Sequence, residues 1–122
     1  MADAFESDEL LDPETLSSLE RLARGRPAFL PRLMRTFAEQ GGELVKQIGA
    51  AAEAKDTAAL GQAAHKLGGS CGQIGALRLR EACVGVERTA REGVLDRHAV
   101  MTLEADFAVL VEHLNLRFAA SN

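Results

Sequence analysis

A chain of 122 residues, 47% of them hydrophobic, is the size of one domain and can bury a single core without help from a metal or a disulfide. Its formal charge of −4 comes from 18 acidic and 14 basic residues that read as interspersed, which leaves no basic stripe for nucleic acid and no polybasic patch for a membrane. Five Phe with neither Trp nor Tyr exclude base-stacking platforms and aromatic-rich clefts, so aliphatic packing has to carry the core.

Residues 1–11, "MADAFESDELL", are acidic and without periodicity and read as a flexible lead. They lack the basic and apolar regions of a signal peptide, and no apolar run approaches the roughly 18 residues of a membrane span. The expected location is the cytoplasm. The domain proper is expected over 12–122. It opens with Asp12 as an N-cap and Pro13 at the first helical position; Leu16, Leu19 and Leu22 then give a short amphipathic helix that stops at "GRP". From Ala28 to about Ala54, Leu30, Leu33, Phe37, Leu44, Ile48 and Ala51 recur at helical spacing, with Gly41 and Gly42 weakening the middle. Asp56 caps a third helix bearing Leu60, Ala63, Ala64, Leu67 and Cys71 and running to about Gly72. A fourth begins near Gly75 and Ala76, places Leu79, Ala82, Cys83, Val86 and Ala90 on one face, and stops at Gly93. The fifth runs from about Asp96 to Phe118, with Val100, Leu103, Phe107, Leu110, Val111, Leu114 and Phe118 on its seam. No strand pattern is present. The expected fold is all-α, an antiparallel four-helix bundle with an additional short N-terminal helix. Cys71 and Cys83, with no CxxC spacing, read as buried small hydrophobes.

The stretch "AAHKLGGSCGQIGA", residues 63–76, places His65 on the third helix among glycines. At 100° per residue, the apolar side chains of that helix fall within roughly 60° of one direction and His65 lies about 140° from it, so the imidazole is expected in solvent. Its surface neighbours three and four positions away are Gly61, Gln62, Gly68 and Gly69, and Gly72 projects the same way two turns on. Each interior helical glycine costs about 0.8–1 kcal/mol relative to alanine. Close helix approach would need these glycines on the core side. The angular reading puts them on the outer or flanking side, which favours access: a bare strip lets another protein bring a reacting group to the imidazole. His98 and His113 fall on the polar face of the last helix without a partner at metal-ligand spacing. "GGSCGQIG" lacks the lysine and the Ser/Thr that close a nucleotide-binding loop, and no strand precedes it.

The run Ala64, His65, Leu67, Gly69, Ser70, Ile74, Gly75, Ala76, Leu79, followed by Cys83 and Glu87, resembles the motif of histidine phosphotransfer (HPt) domains of multistep phosphorelays. "LDPETLSSL" is similar to the opening of such domains. The resemblance implies a helical bundle in which His65 is the phosphorylated nucleophile. His65 would take a phosphoryl group from the aspartyl phosphate of one receiver domain and pass it to another. The domain would itself be a carrier without ATP-dependent kinase activity and without a bound cofactor, the receiver supplying Mg²⁺. Its partners would be response-regulator receivers and a sensor histidine kinase, and the chain would be either a free protein or the terminal cytoplasmic module of a hybrid kinase.

The family usually carries Lys three residues after the histidine. Here that position is Gly68, and Lys66 lies about 100° around the helix. Family register brings Glu87 and Arg91 near His65, with Glu87 as an acceptor for the imidazole and Arg80 and Arg91 as phosphate or partner contacts; Lys66, Gln62 and Gly69 complete the surroundings of the histidine. Leu77 and Val84 lie off the core stripe of their helix and would form, with Gly61, Gly68 and Gly72, a receiver-docking surface, unless the two apolar side chains pack under the N-terminal helix. The alternative is a relay-silent bundle that binds a receiver or kinase without carrying phosphate.

Overall fold

The structure, a computed structural model, describes residues 10–118. These residues form α1 (Pro13–Leu22), α2 (Phe29–Glu53), α3 (Thr57–Ile74), α4 (Leu77–Arg91) and α5 (Arg97–Phe118), with no strand among them. Connections of two to five residues make successive long helices antiparallel neighbours. α3 packs against both α2 and α4, and α5 closes the ring against the same two, so α2 and α4 stand on opposite sides of the bundle.

Local chemistry fixes the ends. Asp12 caps α1, its Oδ2 accepting from the Thr15 amide at 3.0 Å and from Thr15 Oγ1 at 2.7 Å, and Pro13 occupies the first helical position, where its missing N–H is not needed. The Asp12 amide donates to the carbonyl of Gly75 at 2.7 Å, which pins α1 across the α3–α4 turn. Gly75 has φ +79°, and a β-carbon there would lie 2.8 Å from Thr15 Cβ, so a glycine is needed both to turn the chain and to seat α1. That cap also explains why α3 continues past Gly72 to Ile74.

The core is aliphatic, built on Met34, Ile48, Leu60, Leu67, Ile74, Leu79, Val86, Leu103 and Leu110 with Phe37. α2 runs unbroken through Gly41 and Gly42. Gly41 is buried, and a β-carbon on it would stand 2.7 Å from Cε1 of Phe107, so the expected weak point is the seat of an α5 aromatic, whose ring centre lies 6.1 Å from that of Phe37. Leu22 departs from its expected place on the packed stripe of α1, since it occupies the last turn, beyond the end of α3, and is 59% exposed.

The packed body starts before Asp12: Leu11 is buried in the core and Leu10 packs against it. The rest of the expected lead, residues 1–9, lies outside the described residues, as do residues 119–122. Cys71 and Cys83 are free, buried thiols facing each other across α3 and α4. The hydrogen bond that the Cys71 thiol donates to Cys83, together with burial, pushes that thiol far up, which keeps it protonated and unreactive. No helix among the described residues is long and apolar enough to cross a membrane.

Candidate functional site

His65 projects from the middle of α3, and its side chain is 68% exposed. The apolar positions Leu60, Ala63, Ala64 and Leu67 are buried on the opposite face, which turns the imidazole outward as the spacing requires. Its side-chain partner among the described residues is Glu87 on α4: Nδ1 lies 3.1 Å from Oε2 and 3.3 Å from Oε1. A carboxylate offers only acceptors, so Nδ1 carries the hydrogen of this contact, and in a neutral ring the lone pair is left on Nε2. Glu87 is in turn held by Arg91, one turn further along α4, with Nη2 2.6 Å from Oε2. The Glu87 side chain is 17% exposed while its two partners are about two-thirds exposed, so the fixed element of the trio is the carboxylate.

The glycines around His65 divide into two pairs. Gly61 and Gly68 are buried: a β-carbon on Gly61 would lie 3.5 Å from Ala90 Cβ and 3.9 Å from Arg91 Cγ, and one on Gly68 would lie 3.4 Å from Cys83 Cβ. The expectation that all of them form a bare outer strip is corrected here. These two sit at the contact of α3 with α4, where a β-carbon on either would meet α4 at ordinary van der Waals distance. Gly69 and Gly72 are exposed; nothing lies within 4 Å of a β-carbon on Gly69, and Arg80 lies across Gly72 with Cδ and Nε at 3.9 Å. Two arginines of α4 therefore cross glycines of α3 on either side of the histidine.

Two shallow grooves flank the trio. One is lined by Thr57, Ala58, Gly61, Gln62, Ala90, Arg91 and Gly93. The other is lined by Leu77, Arg80, Glu81, Val84, Gly85 and Arg88, with Leu77 43% and Val84 46% exposed. Glu81 and Arg88, not singled out from the sequence, complete this second groove; continuing the row Leu77, Val84 at spacings of three and four reaches both. Lys66 is exposed and joins no ion pair among the described residues. His98 and His113 lie away from the site on α5, and burial together with nearby Arg117 holds the His113 imidazole below its ordinary range. Among the described residues no group of three or more His, Cys, Asp or Glu could hold a metal ion.

A helical bundle that presents a solvent-facing histidine held at Nδ1 by a carboxylate from the neighbouring helix is built to offer Nε2 to something brought from outside. The Hpt domain family model matches residues 32–115, and the chain belongs to this family. The structure is similar to that of the histidine-containing phosphotransfer protein HptB from Pseudomonas aeruginosa PAO1, with 28% identity over 91% of this chain and 96% of that one and a TM-score of 0.82. A rice protein assigned as a histidine-containing phosphotransfer protein shares the fold at 18% identity, covering 97% of this chain and 90% of that one, with a TM-score of 0.68. A search of curated protein sequences finds no match. The family and the bacterial relative give the chain a role in histidine phosphotransfer within a phosphorelay.

Proposed function

We propose that His65 is the phosphorylated residue and that Nε2 is the atom that carries the group. In the neutral ring with hydrogen on Nδ1, the Nε2 lone pair attacks the phosphorus of a receiver's aspartyl phosphate. The N–P bond forms as the acyl phosphate O–P bond breaks, and the aspartate leaves as a carboxylate. No proton has to move, because the positive charge that develops on the ring is met by Glu87 at Nδ1. The reverse sequence delivers the group to a second receiver. Mg²⁺ and most of the stabilisation of the transferring group would come from the receiver, which fits a site whose own contribution is a positioned nucleophile.

Arg91 supports this reading at the position where the family's lysine is missing. Gly68 is buried against Cys83, and the cation that meets Glu87 comes from α4. It orients Glu87 and lies within a side-chain swing of a phosphoryl group on Nε2. Leu77 and Val84, with Arg80 and Arg88 at their edges, would form the apolar centre of the receiver-docking face. A sensor kinase would be the upstream source of phosphate.

The observation that carries the reading is the contact of Glu87 with Nδ1. Its test is phosphotransfer from a phosphorylated receiver to the purified chain, native against His65→Gln, with the label checked for acid lability. The expected result is acid-labile label that is lost in the variant. Binding of receivers without label would instead assign a relay-silent docking module. Leu77→Glu combined with Val84→Glu should abolish transfer with helicity unchanged; loss of helix by circular dichroism would give those side chains a packing role.

A further inference from the structure

The even mixing of charge expected from composition fails at one end of the molecule. Arg21, Arg24, Arg26, Arg32 and Arg35 follow one another with no Asp or Glu between them, whereas residues 1–20 hold seven acidic residues and no basic one. All five arginines are exposed, and none meets a carboxylate among the described residues. Arg21 donates to Ser18 Oγ at 3.0 Å, and Arg26 donates to the Leu22 carbonyl at 2.7 Å while its guanidinium lies 4.9 Å from the centre of the Phe29 ring. Arg78 and Arg91 on α4, by contrast, each have an acidic partner.

Three of the five side chains follow a continuous path. Arg26 stacks on Phe29, Phe29 is one helical turn before Arg32, and Arg32 is one turn before Arg35, so these lie in sequence along the start of α2. The first turn of α2 carries no acidic residue, and Leu22, 59% exposed beside the Arg26 contact, adds an apolar foothold. α2 stands across the bundle from α4, so the strip lies away from Glu87, Arg91 and the docking groove at Leu77 and Val84.

We propose that this strip docks an acidic segment of a partner protein, at a place that leaves His65 open to a receiver. Guanidinium forks match carboxylates in pairs, and these arginines meet no carboxylate among the described residues. The composition of the flanks separates this occupant from an extended polyanion. Exposed Glu14 and Glu20 precede the strip and exposed Glu39 and Glu43 follow it, so a bilayer or a nucleic-acid duplex broad enough to overrun the strip meets like charge on both sides. A short acidic segment covers the arginines alone.

The test measures binding of a fluorescent Glu/Asp octapeptide, of phosphatidylglycerol vesicles and of a DNA duplex to the full chain. The native chain is compared with Arg24→Gln/Arg32→Gln/Arg35→Gln and with a control of equal charge change elsewhere, Lys46→Gln/Lys55→Gln/Arg97→Gln. Exposed glutamines keep helix propensity, and circular dichroism checks the fold. The expected result is peptide binding that weakens about tenfold in the arginine variant, is unchanged in the control, and falls steeply as salt shortens the screening length. No peptide binding by the native chain, equal loss in both variants, or binding to vesicles or DNA in preference to peptide would each overturn the proposal. His65 labelling by a receiver is expected to be the same in the arginine variant as in the native chain, which separates failure of this proposal from failure of the phosphotransfer assignment.

Discussion

Gly61 and Gly68 differ from Gly69 and Gly72 in a way their sequence neighbourhood conceals. All four stand beside His65 on one helix, yet the first two are buried against α4 and the last two face solvent. A glycine can be needed because something is close or because something must be able to come close. Gly61 and Gly68 stand at van der Waals distance from Ala90 and Cys83 of α4, whereas Gly69 and Gly72 face solvent. The contact of α3 with α4 is thus also what brings Glu87 within reach of the imidazole.

The largest expected effect tests the packed pair. Gly68→Leu forces a side chain against Cys83 and should lower stability by about 1–3 kcal/mol in denaturant unfolding. An unchanged midpoint would mean that helix spacing does not explain this glycine. Next comes the group that the close approach delivers. Glu87→Ala removes the acceptor at Nδ1 and should slow receiver-to-histidine transfer about tenfold, or about 1.4 kcal/mol of barrier, with Glu87→Gln recovering part of the rate because its amide oxygen still accepts. Equal rates in all three chains would reduce the contact to a surface ion pair.

On the open side the sign reverses. Gly69→Ala meets nothing within 4 Å and should stabilise α3 by about 0.8–1 kcal/mol, while any slowing of phosphotransfer would mark the position as docking surface. The smallest effect lies away from the site. Burial lowers the proton affinity of His113 in the folded chain, so as pH falls through about 6.5 the unfolded chain binds the proton first and stability declines. His113→Gln should flatten that part of the stability–pH curve.

Much of this was legible from the residues in order. The apolar periodicity of each long helix, the Asp12–Pro13 start, the Asp56 cap and the outward direction of His65 all depend on contacts within a few residues, and the structure has each of them. Less legible were the end of α3, which waits for the glycine at 75, and the start of the packed body at Leu10 and Leu11, whose partners lie on other elements. The run of five arginines was in plain view, but net charge averages it away; only the structure shows that none of them meets a carboxylate among the described residues.

The sequence by itself determined the number and length of the long helices, the buried stripes and the exposed histidine, because helical geometry converts spacing into direction. Which helices touch, how closely, and through which side chains was decided by tertiary structure, because the distance between two helices depends on the residues of both. That distance buries Gly61 and Gly68 and sets Glu87, itself paired with Arg91, 3.1 Å from Nδ1 of His65.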